Sequence, residues 1–299
     1  MNFPTEVTLI EVGPRDGLQN ESAFVTTQDK IDLINLLSQS GLQNIEVTSF
    51  VSAKAIPQLA DNEPLYTNIN KEPGIHYSAL VPNERGMLKA LKLGLKEIAI
   101  FTAASEAFNQ RNINCSIAES IDRFKPVLAL AKEHSIRVRA YISCALGCPY
   151  EGEIKPSSVI KVAKQLLALE IDELCLGDTI GVGTAKQTAA VIKEMLEILP
   201  SNQLAMHFHD TYGQAITNIY ASLELGISRF DSSVAGLGGC PYARGATGNV
   251  ATEDVLYLLH GLGIKTGVDI FKIVHAGDMI CKILGKANQS KVARALLAN

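Results

Sequence analysis

The sequence has no surplus of charge. Lysine and arginine together number 27 against 31 aspartates and glutamates, for a formal net charge of −4, so no basic face for nucleic acid is on offer. Charged residues make up only 19% of the chain and hydrophobic residues 47%, the balance of a globular protein with a large core. No apolar run is long enough to span a bilayer, so no membrane partner is expected. The opening Met1-Asn2-Phe3-Pro4-Thr5-Glu6 lacks the basic and apolar regions of a secretion signal and the Arg/Ser-rich character of a transit peptide, and a cytoplasmic location is expected. The six cysteines, at 115, 144, 148, 175, 240 and 281, show no disulfide framework and read as reduced thiols. Cys144 and Cys148 lack a second cysteine pair, which argues against a zinc site. Internal repeats, low-complexity stretches and a dividing linker are missing too. Residues 1–299 are therefore expected to form a single catalytic domain, with 269–299 as a C-terminal helical extension.

What is present is alternation. Short Val/Ile/Leu-rich runs predict strands at 7–12, 45–49, 77–81, 97–101, 137–143, 173–177, 204–209 and 229–234. Between and after them, helical spacing predicts helices at 27–40, from a cap at Asn83 to 93, after a capping box at Ser116 and Glu119, and at 156–169, 184–199, 213–225 and 250–262. Segment 51–70 reads as irregular, with one or two short helices, and Pro126 is expected to kink its helix. Further helices are expected at 269–284 and 289–297. Eight strand–helix units in one pass give the count and size of a (β/α)8 TIM barrel with extra C-terminal helices. A doubly wound sheet competes, but it often carries Gly-x-Gly-x-x-Gly after its first strand, and here Gly13-Pro14-Arg15-Asp16-Gly17 stands there.

A barrel of this kind gathers its chemistry at the C-terminal ends of the strands. Arg15, Asp16 and Gln19 follow strand one, Glu46, Thr48 and Ser49 belong to strand two, and Asp178 ends strand six. His207, His209 and Asp210 come from strand seven, and Cys240, Tyr242, Arg244, Asn249 and Glu253 follow strand eight. Strands three, four and five offer little charge at their ends, although Asn109 and Arg111 follow strand four. His207 and His209 share one strand face and can grip a single divalent ion. Asp16 joins them if strands one and seven bring their ends together, and Asn249 can complete the set through its carbonyl. Taken singly, each residue has a plainer reading. Asp16 can shape a turn, Arg15 can pair with Asp16 at the surface, Asp178 can cap a helix, and the histidines can be satisfied polar groups of a strand. Their joint placement at one end of a barrel favours a metal-assisted active site. Gly236-Leu237-Gly238-Gly239-Cys240 can be a flexible connector, or a mobile arm that brings a thiol over that site.

Several stretches carry a resemblance. Gly13-Pro14-Arg15-Asp16-Gly17-Leu18-Gln19, Glu46-Val47-Thr48-Ser49-Phe50-Val51-Ser52 and Gly177-Asp178-Thr179-Ile180-Gly181 are three of them. His207-Phe208-His209-Asp210, Gly236-Leu237-Gly238-Gly239-Cys240-Pro241-Tyr242-Ala243 and the run from Ala246 to Asp254 are the others. Together they resemble the 3-hydroxy-3-methylglutaryl-CoA lyases, of the metal-dependent carbon–carbon lyase and synthase superfamily. The resemblance implies a bacterial-type, cytoplasmic enzyme, usually a homodimer, that uses Mg²⁺ or Mn²⁺ to cleave an acyl-CoA substrate to acetyl-CoA and acetoacetate. It implies Asp16, His207, His209 and Asn249 as metal ligands, Arg15 facing the thioester oxygen, and Cys240 as the catalytic cysteine. Glu46, Asp178 and Glu253 would support these groups, and Gln19 and Ser49 would line the substrate pocket. Whether Asp16 or His207 takes the substrate's proton stays open. The rivals are a synthase such as 2-isopropylmalate or homocitrate synthase, a metal hydrolase whose His-x-His usually ends strand one, and a catalytically dead barrel that serves for binding.

Overall fold

The computed structural model of the chain describes residues 3–239 and 248–298. Its strands are β1 (Thr8–Glu11), β2 (Asn44–Ser49), β3 (His76–Leu80), β4 (Glu97–Ala103), β5 (Arg137–Ser143), β6 (Glu173–Asp178), β7 (Leu204–Phe208) and β8 (Arg229–Ser232). They pair in parallel in chain order and close into a barrel, with Thr8 of β1 opposite Arg229 of β8 and Glu11 opposite Ser232. The α-helices are α1 (Thr27–Ser38), α2 (Asn62–Asn68), α3 (Glu84–Lys92), α4 (Glu106–Ile113), α5 (Ile117–Glu133) and α6 (Pro156–Leu167). They continue with α7 (Ala185–Met195), α8 (Ala215–Glu224), α9 (Thr252–Gly261), α10 (Ile270–Leu284) and α11 (Lys291–Leu297). Among the described residues, no helix is long and apolar enough to cross a membrane.

Local chemistry starts the helices. The side chains of Thr26, Asn83, Ser116, Thr184, Asp269 and Ser290 each accept a backbone N–H of the first turn that would otherwise be unpaired. At Ser116 the expected capping box with Glu119 is formed, and α5 runs on through Pro126. Helix α4 was not expected. It is short and polar, and it starts at Ser105, whose Oγ accepts from Phe108 N at 3.0 Å. Helix α10, at the start of the expected C-terminal extension, packs against both α9 and α1, and α11 packs against α9 and α10.

The strands divide their side chains between two compartments, as a period of two requires. Ile45, Val47, Ile98, Ile100, Leu174, Leu176, Met206, Phe208 and Phe230 join the main apolar core beneath the helices. The alternate positions fill the inside of the barrel, and there the chain departs from the usual bulky aliphatic layers. Glu173 of β6 pairs with Arg137 (2.6 Å), Arg139 (2.7 Å) and Arg229 (2.6 Å), which ties β5, β6 and β8 together across the interior. Above this cluster lie Leu80, Ala99, Tyr141, Cys175 and Ala205, a small apolar group separate from the main core.

Candidate active site

The Gly-Pro-Arg-Asp-Gly stretch forms one turn of π-helix, Gly13–Gly17, directly after β1. The carbonyl of Val12 accepts from the amides of Arg15 (3.1 Å), Asp16 (2.8 Å) and Gly17 (3.1 Å). Such turns recur at functional sites because they redirect consecutive side chains. Both glycines are required by space. A Cβ on Gly13 would lie 2.6 Å from Glu11 Oε1, and one on Gly17 would lie 2.7 Å from Ser233 Oγ and 2.9 Å from Leu237 Cβ.

The turn delivers Asp16 to the two histidines. One ligand atom from each of Asp16, His207 and His209 lies within 4.8 Å of the others. Asp16 Oδ2 is 3.7 Å from His209 Nε2 and 3.9 Å from His207 Nε2, too far for hydrogen bonds and suited to donors arranged around one cation. The far side of His207 is fixed, with Nδ1 2.9 Å from Asp231 Oδ2. Burial would raise the Asp16 carboxyl, but the Arg15 guanidinium and the two histidines outweigh it and hold it well below the usual carboxylate range. A carboxylate held in its charged form and facing two ring nitrogens fits a divalent metal. His209 lies just past the end of β7, where its backbone bridges to Asn249. Asn249 therefore reaches the cluster as expected, but with its amide nitrogen forward. That nitrogen donates to Asp16 Oδ2 and to the Leu237 carbonyl, both at 3.0 Å, because both neighbours are acceptors.

Arg15 is buried, not a surface residue. Its Nη1 pairs with Asp16 Oδ1 at 2.6 Å and its Nε with Glu46. Burial disfavours its charge, but Glu46 and Asp16 outweigh burial and the guanidinium stays protonated. Glu46 also accepts from the Tyr141 hydroxyl at 3.2 Å, and that hydroxyl accepts from Arg139 Nη1 at 2.9 Å. Arg139 Nη2 in turn reaches Asp231 Oδ1 at 2.6 Å. These groups correct the expectation that strand five brings little charge to the site. Arg139 and Tyr141 alternate along β5 and so share its inward face, a signal available in the spacing Arg137-Val138-Arg139-Ala140-Tyr141. Burial would raise Asp231, but Arg139 and His207 keep it lowered.

The other expected site residues act at one remove from the cluster. Both carboxylate oxygens of Asp178 are occupied by the amides of Val182 (3.1 Å) and Gly183 (2.9 Å), so it anchors the loop after β6. Glu253 accepts from Ala235 N with both oxygens at 3.0 Å, so it braces the turn after β8 and not the metal-facing groups. Ser49 is buried, and its Oγ accepts from Val51 N at 3.2 Å, within its own strand end. Gln19 is half-buried just beyond the π-helical turn. Cys240, with Tyr242 and Arg244, lies outside the described residues. Asn109 is a structural residue, its Nδ2 donating to the Cys115 carbonyl at 3.2 Å, and Arg111 stacks on Tyr150 at 4.2 Å.

Glu11 is a further supporting residue that sequence reasoning missed. Glu11 accepts from Gly13 N (2.8 Å), Val234 N (2.9 Å) and Thr252 Oγ1 (2.7 Å), which joins the π-helical turn to the turn after β8. Burial pushes Glu11 up to about 7 and Glu253 up to about 8. Between them they hold Ala235, whose φ of 59° is left-handed, at the root of the glycine-rich loop. The far end of that loop returns to the same place. A Cβ on Gly248 would lie 2.6 Å from the carbonyl oxygens of both Gly236 and Gly238.

A family model described as HMGL-like matches residues 6–280. The chain is 58% identical over 298 residues to a Pseudomonas aeruginosa protein named 3-hydroxy-3-isohexenylglutaryl-CoA/hydroxy-methylglutaryl-CoA lyase, covering 100% of this chain and 99% of that one. A crystal structure of hydroxymethylglutaryl-CoA lyase from Pseudomonas aeruginosa superposes with a TM-score of 0.98 at 58% identity, covering 100% of this chain and 99% of the other. An HMG-CoA lyase from Acinetobacter baumannii, solved with coenzyme A and 3-methylmalate, superposes with a TM-score of 0.94 at 36% identity, covering 99% and 96%.

Proposed function

The chain belongs to the HMGL-like family, and on that premise we propose that it is a carbon–carbon lyase that cleaves 3-hydroxy-3-methylglutaryl-CoA to acetyl-CoA and acetoacetate. The observation that carries this reading is the convergence of Asp16, His207 and His209 beside a buried, permanently charged Arg15. The coenzyme A held by the Acinetobacter relative supports an acyl-CoA substrate. Asp16, His207 and His209 would hold a divalent ion, Mg²⁺ or Mn²⁺, with Asn249 beside them. When bound, that ion lowers the pKa of a hydroxyl and orients it.

The remaining steps belong to the chain's own residues. The proton of the substrate's tertiary hydroxyl passes to Asp16 or His207. The electron pair of that O–H bond forms the new ketone of acetoacetate, and the pair of the breaking carbon–carbon bond moves onto the departing acetyl-CoA. Arg15 stabilises the resulting enolate at the thioester oxygen, with Glu46 and Asp16 holding the guanidinium in place. Cys240 gives its thiol proton to the enolate carbon to make the methyl group. Gln19 and Ser49 contribute to the substrate pocket, while Asp178 and Glu253 hold the loops around it. The same reading takes residues 1–299 as one catalytic unit, working as a homodimer in the cytoplasm.

The test is acetoacetate release from 3-hydroxy-3-methylglutaryl-CoA with Mg²⁺ or Mn²⁺, and again with excess chelator. Metal-dependent release is expected. Failure to release acetoacetate with either metal, from folded protein with reduced thiols, would sink the substrate assignment. Running the isohexenyl analogue named for the Pseudomonas relative alongside measures how far the acyl pocket extends.

A further inference from the structure

We propose that Asp231 is a positioning residue of this site, which sets the His207 imidazole so that Nε2 faces Asp16. The inference rests on the reading of His207 as a metal ligand. Asp231 and His207 are register partners on β8 and β7, and both project into the barrel. The Asp231 carboxylate is divided between two close neighbours, with the Cys175 thiol also donating to Oδ2 at 3.8 Å. Oδ1 takes Arg139 Nη2 at 2.6 Å, and Oδ2 takes His207 Nδ1 at 2.9 Å. A carboxylate only accepts, so Nδ1 carries the hydrogen and Nε2 presents its lone pair to the cluster.

Asp231 cannot swing away from this duty. It is buried on an interior strand, and Arg139 is itself fixed by Glu173 at 2.7 Å and by the Tyr141 hydroxyl at 2.9 Å. Through Tyr141 and Glu46 the same contacts continue to Arg15. One connected network therefore sets both the histidine that faces the metal and the guanidinium that faces the thioester. Removing the carboxylate frees the ring to take the other tautomer or to turn about its χ2 angle. Loss of such a partner typically weakens metal binding about 10- to 100-fold.

The experiment has two arms. Mn²⁺ binding to substrate-free protein is measured by electron paramagnetic resonance for the wild type and for Asp231→Asn, with circular dichroism to confirm folding. The variant is expected to bind Mn²⁺ about 10- to 100-fold more weakly. The second arm needs no variant. Long-range ¹H–¹⁵N correlation on metal-free wild type labelled at histidine, recorded at alkaline pH where imidazoles carry a single ring hydrogen, should show that hydrogen of His207 on Nδ1. A hydrogen on Nε2, or a folded variant that binds Mn²⁺ as tightly as the wild type, overturns the positioning role. Wild type that binds no Mn²⁺ overturns the metal reading itself, and the positioning role with it.

Discussion

Glu253 is a fully buried carboxyl whose bonded partners are backbone amides, that of Ala235 and its own, and no cationic side chain among the described residues pairs with it. Burial moves it from an ordinary 4.5 to about 8, with the nearby Glu11 carboxyl adding to the rise. Between those two values the folded chain keeps a proton that the unfolded chain has released, so acid favours folding. The group costs nothing below about 4.5, lowers stability as the pH climbs to about 8, and has no further effect above that. At about 1.4 kcal/mol per tenfold change in proton activity, the interval sets a ceiling of roughly 4–5 kcal/mol. Glu11, at about 7 and close by, competes for the same stabilisation, so roughly 2–4 kcal/mol is a fairer expectation for Glu253 alone. Glu253→Gln removes the ionisation and keeps an oxygen for Ala235 N. Urea unfolding of both proteins at pH 4, 6.5 and 8.5 should show the variant about 1 kcal/mol less stable at the acid end, where Glu253 is protonated in both states, from an imperfect hydrogen bond. It should overtake the wild type at the alkaline end. Parallel pH profiles for the two proteins would refute the reasoning, because they would mean that Glu253 is already ionised without penalty in the folded state.

The other predictions concern catalysis and packing. Arg15→Gln should remain folded by circular dichroism while acetoacetate release falls by about 10²–10³ or more, and a normal rate would remove Arg15 from the mechanism. Cys240→Ala should also fold and lose turnover, with Mn²⁺ affinity unchanged in a binding titration. His209→Ala should abolish the rise in melting temperature that Mn²⁺ gives the wild type, since it removes one of three converging donors. Phe230→Ala should cost about 3–5 kcal/mol in urea unfolding, because the side chain is wholly buried between β8 and the helices.

The barrel was legible in the sequence because alternation is a local property, and each strand and cap announces itself within a few residues. The metal-facing trio was legible for the same reason. Asp16 sits in a five-residue turn with its own glycine signature, and the histidines share a strand face. What escaped depends on closure of the barrel. Arg139 and Asp231 are 92 residues apart and meet only once β5 and β8 face each other across the interior. Glu253 could be read as an acid near the site, but not as the brace of Ala235, because its target is a backbone amide that carries no sequence signature. The forward amide nitrogen of Asn249 follows from the acceptors around it, Leu237 O and Asp16 Oδ2, and neither could be placed beforehand. Helix α4 was hidden by its polarity, with Ser105 as its one local cue.

The close approach of Gly248 to the carbonyls of Gly236 and Gly238 has a consequence for inheritance. The chain leaves the barrel and rejoins it at a single point, so the separation of the two ends is set by the barrel itself. A side chain at Gly248 would push them apart, and with a φ of 54° besides, descent that keeps this closure leaves the position to glycine.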